Sequence, residues 1–356
     1  MNLITMLTNE RFIHSAKTAL ACLVGFIIAN HMHFQATQWI IITTLVVMAA
    51  QMNVGSMIQK SYMRFLGTLT GSLVAILTLK LFGNDPLINL CVVLIAAMFF
   101  SFIATSQKSY NESGTLGAVT VTIILFGQNP TVLTGIERFL EISLGILIAA
   151  IISQFILPVH AKHLLRRTQA TTIKKIQVFY QDLFSKTPSS DNVNVLSNLD
   201  EQIVKSLVLQ RKLAGEARRE KLGKSFNIDY FQQSLWCEKD IIRSIVFMFY
   251  AYQKIAELKL IEENKHFLHD FDQQVADLLQ AMYQGVENNK ALEKKLLPNI
   301  NRLKQIFSDV SSLQYEERIA MDTFIFCAEM LVDRLDKMVG LLFEEFKTTQ
   351  GPSFVE

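Results

Sequence analysis

Charged side chains are rare in the first 157 residues, so each one there is worth reading for chemistry. Arg138 and Glu141 stand three apart, with Glu137 adjoining. In a helix that spacing puts guanidinium and carboxylate on one face. Two readings are open. One is an interfacial arginine that snorkels toward water and pairs with Glu141. The other is a pathway lining, in which Arg138 attracts an anion and Glu141 sets the strength of that attraction or carries a proton. Arg64 is open in the same way, as a topology anchor or as the cytoplasmic entry of an anion path.

The other reactive residue types point to no enzyme. His31-Met32-His33 has no Asp, Glu or Cys beside it, and His-x-His does not put two imidazoles on one helix face. His266 and His269, three apart in a charged helical stretch, are not read as a metal site. Cys22, Cys91, Cys237 and Cys327 form no pair with metal or redox spacing and read as small buried hydrophobes. There is no G-x-x-x-x-G-K-[ST], no Rossmann fingerprint, no H-E-x-x-H and no G-x-S-x-G. No ATP motor, metal or cofactor is therefore expected.

The elements that must position Arg138, Glu141 and Arg64 follow from composition. The chain has 356 residues and 50% are hydrophobic; the mean hydropathy is +0.28. Residues 1–157 hold 7 Lys/Arg and 5 Asp/Glu, whereas residues 158–356 hold 27 of each. The first part is too apolar for a soluble domain and the second too polar for lipid. This excludes a single soluble enzyme domain, a disulfide scaffold and a porin-type barrel, whose strands would alternate apolar and polar. A net charge of +2 gives no case for nucleic acid. The first ten residues carry Glu10 and no basic residue, and no A-x-A-like site follows the apolar run, so a cleaved signal is not expected.

Six apolar stretches read as membrane spans, at 18–34, 36–53, 65–82, 87–104, 110–128 and 137–157. The fifth is the weakest, because its charge-free core is little more than Gly114 to Gly127. Turns at Gly83-Asn84-Asp85-Pro86 and Gln128-Asn129-Pro130 separate spans three from four and five from six. With a cytoplasmic N-terminus, the inner side collects Arg11, Lys17, Lys60, Arg64, Lys108, Lys162, Arg166 and Arg167, and the outer side only Lys80 and Arg138. That asymmetry puts both termini in the cytoplasm and favours an even number of spans. Gly67 and Gly71, and Gly145 with Ala149, stand four apart, the small-residue spacing that lets membrane helices approach closely.

From residue 158 the pattern is helical. Ile241, Ile245, Phe249, Tyr252 and Ile255 recur at helix spacing, as do Phe324, Cys327, Leu331, Leu335 and Met338. Breaks fall at 187–191, near Gly223 and near Pro298. The reading is all-α throughout: a six-helix transmembrane domain over 1–157, then a cytosolic bundle of five or six helices over 158–356. The basic stretch from Arg211 to Lys224 reads as a solvated helix face, with contact to anionic lipid or feeding of anions toward the pore as the other candidates.

Several motifs together resemble the fusaric acid resistance family. Trp39 opens the second span, Gly55 lies in the loop after it, and Arg64-x-x-Gly67-Thr68-x-x-Gly71 opens the third. Arg138-x-x-Glu141-x-x-x-Gly145, with Pro158 following, is similar to the family's second signature. Ala217-x-x-Glu220 resembles an element of the family's cytosolic part. The resemblance covers roughly residues 10–250. It implies an inner-membrane transporter of small organic anions, akin to bacterial aromatic acid exporters and plant aluminium-activated malate channels. Many members carry two membrane blocks and two soluble blocks, and this chain has one of each, which implies a homodimer. Three function classes remain open on sequence: gradient-driven export of organic anions such as aromatic carboxylates, a passive anion channel, and a membrane scaffold whose cytosolic bundle docks partners.

Overall fold

The computed structural model describes residues 3–32, 37–49, 53–106, 110–185, 192–220, 226–256, 258–290, 297–306 and 314–349. Every regular element among them is an α-helix, so the all-α reading holds. The chain divides into two compact units: Met1–Ala161 with Arg219–Leu222, and Lys162–Arg218 with Gly223–Glu356.

The first unit contains α1 (Leu3–His31), α2 (Gln38–Ala49), α3 (Val54–Phe82), α4 (Pro86–Ala104), α5 (Asn111–Leu125) and α6 (Val132–Phe155). Each of the six apolar stretches overlaps one helix, but the bounds differ. The first helix starts at Leu3 rather than 18, and the third at Val54 rather than 65. Hydropathy reports lipid contact, whereas the backbone stays helical through Arg11, Lys17, Lys60 and Arg64, which carry no helix-breaking chemistry. By length and composition three helical segments suffice to cross a membrane: Arg11–His31, Val54–Phe82 and Pro86–Ala104. At 12 and 15 residues, α2 and α5 rise only about 18 and 22 Å. The expected turns are present. Asp85 caps α4 by accepting from the Leu87 and Ile88 amides, with Pro86 in the first turn, and Thr131 accepts from the Thr134 amide at the start of α6.

Helix α3 stands between two apolar clusters. Met57 joins Ala21, Ala29, Ile40, Val47, Ile146 and Ile152 of α1, α2 and α6. Ala75 and Leu79 join Ala96, Phe100, Val121 and Ile124 of α4 and α5. Glycines set the approach distances. A methyl group on Gly71 would lie 2.6 Å from the Gly117 carbonyl oxygen, and one on Gly67 would lie 2.5 Å from that of Ser113, so α3 and α5 meet backbone to backbone. A methyl on Gly145 would lie 2.8 Å from the Ile40 carbonyl oxygen of α2. In lipid, where burying apolar surface gains little, such close contact holds helices together.

The second unit is built from five long helices and two short ones among the described residues: α7 (Ala161–Ser185), α8 (Asn192–Ala217), α9 (Ile228–Ile255), α10 (Lys259–Glu263), α11 (Lys265–Asn288), α12 (Ile300–Ile306) and α13 (Tyr315–Thr349). The expected break near Pro298 falls between α11 and α12, while 187–191 and Gly223 lie outside the described residues. Helices α9 and α13 run antiparallel, as Ser234 on Met338, Asp240 on Arg334 and Tyr252 on Phe324 require. Their interior holds a polar string. Gln210 donates to the Glu238 carboxylate at 2.7 Å and to the Thr172 hydroxyl at 2.9 Å, and Gln169 bonds Ser234 and accepts from Tyr230.

Candidate functional site

The Arg138–Glu141 pair forms as the spacing requires, with 3.0 Å between guanidinium and carboxylate. The carboxylate is buried, with 1% of the Glu141 side chain exposed, and the guanidinium is nearly so, at 18%. The Arg138 guanidinium also lies over the Trp39 ring, 4.8 Å from its centroid. Sequence reading treated Trp39 as a signature residue only; the packing of α2 on α6 makes it the third member of the cluster. Next to it Phe139 packs its ring 5.8 Å from that of Phe65 on α3.

Arg64 is buried deeper than a flanking anchor would be, at 8% exposure. Its terminal nitrogen reaches the Thr43 hydroxyl at 3.5 Å, the outer limit of a hydrogen bond. Its Nε has no hydrogen-bond partner, and no carboxylate pairs with it among the described residues. Thr43 lies four residues beyond Trp39, one turn along the same face of α2. The two arginines thus touch side chains one turn apart on one helix. Thr44, beside them, donates to the Ile40 and Gly145 carbonyls at 2.8 and 3.2 Å, which ties α2 to α6 where Gly145 leaves room.

A second cluster surrounds Gly55. The amides that open a helix have no partner within it, and in α3 those of Val54, Gly55 and Ser56 are satisfied from elsewhere. The Val54 amide donates to the Val159 carbonyl at 3.0 Å, and the Met57 amide to the Asn53 carbonyl at 3.2 Å. The Ser56 amide donates to the Asn53 side chain at 2.8 Å. The Gly55 amide donates to Glu220 Oε1 at 3.2 Å, and the same oxygen accepts from the Ala161 amide at 2.7 Å, at the start of α7. His160 Nδ1 lies 3.3 Å from the other carboxylate oxygen. The Ala217-x-x-Glu220 element was read as part of the cytosolic portion; in the structure Arg219 and Glu220 group with the first unit. A carboxylate that collects two helix N-termini is favoured there by their dipoles, which no local pattern around Glu220 could show.

Lys17, read as a flanking charge on the inner side, lies within α1 and is buried. It is 5% exposed and its ammonium donates to the Leu157 and Ser153 carbonyls at 3.1 and 3.5 Å. It therefore satisfies acceptors at the C-terminal end of α6. There Leu157 takes a left-handed conformation, φ 45°, and Pro158 follows, so the helix stops where the motif predicts. Lys108 and His33 lie outside the described residues. His266 and His269 belong to no cluster of three potential metal ligands among the described residues.

An all-helical chain with membrane-length apolar helices and a cluster of desolvated charges between them is a helical membrane protein. Residues 11–244 match the model of the fusaric acid resistance protein family, and the chain belongs to that family. It is 24% identical over 323 residues to "Inner membrane protein YeeA" of Escherichia coli K12, covering 87% of each chain. It is 26% identical over 235 residues to "Multidrug resistance protein MdtO" of Escherichia coli O6:H1, covering 59% of this chain and 33% of that one. Against the MdtO of Shigella flexneri it is 30% identical over 159 residues, 23% of that protein. The chain thus spans a third or less of the MdtO proteins and most of YeeA.

Proposed function

We propose that this chain exports small organic anions, aromatic carboxylates among them, across an inner membrane, driven by a proton or membrane gradient. In this reading residues 1–157 form a six-span transmembrane domain, residues 158–356 a cytosolic helical domain, and both termini are cytoplasmic. Two chains assemble as a homodimer. The names of the relatives, an inner membrane protein and a multidrug resistance protein, support a membrane location and a role in resistance.

The observation that carries the reading is the state of Arg64. A desolvated guanidinium with an unused N–H and no carboxylate partner is costly to keep. An anion passing beside α2 supplies the missing acceptor. One turn away, Arg138 is neutralised by Glu141. Protonation of Glu141 frees Arg138 to meet the same anion, which links proton and substrate at one place. Trp39 offers a flat ring beside Arg138, suited to an aromatic acid.

The test is efflux of an aromatic carboxylate, such as benzoate, from energised vesicles. Arg64→Gln lowers efflux at least about ten-fold while yield and detergent elution are unchanged, and Arg64→Lys keeps part of the activity. Unchanged efflux in Arg64→Gln overturns the reading. Flux that follows voltage alone, with no response to a proton gradient, assigns a passive channel. No movement of any carboxylate, with a cellular phenotype on removing residues 160–356, assigns the scaffold.

A further inference from the structure

The second unit leaves large aromatic side chains in the open. On α9, Trp236, Phe247 and Tyr250 are 64, 58 and 61% exposed; on α13, Tyr315, Ile319 and Phe326 are 79, 49 and 60% exposed. These are not scattered. Positions 236, 247 and 250 fall on one face of α9, and 315, 319 and 326 on one face of α13. The two helices are packed together, and between the stripes runs a groove of about 390 Å³ whose edges include Phe247, Tyr250, Lys254, Glu316 and Ile319. A polar helical unit gains nothing from such a face unless something covers it.

We infer that this face binds a second copy of the chain, α9 of one copy lying on α13 of the other. The argument is charge. Along its exposed stripe α9 carries Lys239 and Lys254, and along its own stripe α13 carries Asp322 and Asp333. The contacts of Ser234 with Met338 and Tyr252 with Phe324 fix the register. They set Lys239 level with Asp333, and Lys254 level with Asp322. A two-fold axis parallel to the helix pair exchanges the two helices and keeps the level. Each lysine of one copy then meets an aspartate of the other at two levels of the aromatic patch, the self-complementarity an isologous contact needs. An anionic membrane surface fits less well, because half of the rim is acidic. From Trp236 to Lys254 the patch runs about 27 Å along two helices each about 10 Å wide, roughly 540 Å² in projection, at the low end of what a specific contact buries per partner.

The inference rests on the homodimer proposed above and names one face for it. The test co-expresses two full-length chains with different tags. One carries Lys239→Glu with Lys254→Glu, the other Asp322→Lys with Asp333→Lys. Each set repels its own copy and suits the other. In detergent the ratio of mixed dimers to either homodimer should rise from a statistical value of about two to about ten or more. All four positions are at the surface, so thermal unfolding of each chain should match the wild type. A statistical mixture leaves the homodimer standing and overturns this face. A wild type that is monomeric by mass overturns both. Loss of binding to phosphatidylserine vesicles, with mixing still statistical, makes the face a membrane contact instead.

Discussion

The Arg138 guanidinium rests on the Trp39 indole, 4.8 Å from the ring centroid, while holding Glu141 at 3.0 Å. Its charge is thus met by a carboxylate on its own helix and a π face on the next. Replacing Trp39 with Leu keeps apolar volume but removes the ring, and should cost about 0.5–2 kcal/mol of stability. Thermal unfolding in detergent reads this. If the ring also serves an aromatic substrate, Trp39→Leu lowers efflux of benzoate more than that of acetate.

Arg138→Gln should lower export without preventing insertion, since it removes a charge from an apolar setting. It leaves Glu141 without its arginine, so the informative variant adds Glu141→Gln. Folding restored without export places the action of Arg138 on the anion. Restoration of both makes the pair structural.

Gly71 and Gly83 separate two uses of glycine. Gly71→Val would drive side-chain carbon into the Gly117 backbone and the Thr120 side chain, which cannot yield, so the protein should fail to accumulate or lose about 1–3 kcal/mol. Gly83 has φ +69° and open space around it. Gly83→Ala should cost only its backbone strain, about 1 kcal/mol. Equal effects at the two sites would contradict the close approach of α3 and α5.

Glu220→Ala leaves the Gly55 and Ala161 amides without their acceptor, at about 1–3 kcal/mol. Glu220→Gln keeps an acceptor oxygen and should recover most of that. Limited proteolysis in the basic stretch from Arg211 to Lys224 should quicken in Glu220→Ala and stay near wild type in Glu220→Gln. No change in either would mean that the carboxylate does not hold the segment.

Burial pushes the Glu238 carboxyl up to about 8 and Asp272 up to about 6, partly offset by hydrogen bonds from Gln210 and Tyr180 respectively. For an acid raised on folding, protons are held more tightly in the native state. The fold therefore gains nothing extra below the unfolded values, and loses stability as pH rises toward the folded ones. Thermal stability should fall between about pH 5 and 8. Glu238→Gln should flatten that fall and unfold at a higher temperature than wild type at pH 8, with little difference near pH 4.5. The opposite slope would show that Glu238 is ionised in the fold.

A C-terminal reporter after Gly351 should report the cytoplasm, and one near Asn84 the opposite side. A C-terminal signal from the outer side would remove the even-span topology.

What the sequence determined by itself is what travels along one chain segment. Two solvent classes, helices almost throughout, turns at Asp85-Pro86 and before Thr131, and the three-residue spacing of Arg138 and Glu141 are all local. Hydropathy, capping chemistry and helix period act within a few residues, so they can be read in order. The tertiary structure alone decided which faces meet. Arg64 and Thr43 are 21 positions apart and Glu220 and Gly55 are 165 apart; their contact depends on the rotation of one packed helix against another. The same packing set Lys17, read as a flanking charge on the inner side, against the end of α6, and turned Trp39 from a motif letter into the bed of an arginine. Glycines announced that helices would approach closely, but not which ones, because a missing side chain admits any backbone and only the completed packing selects one.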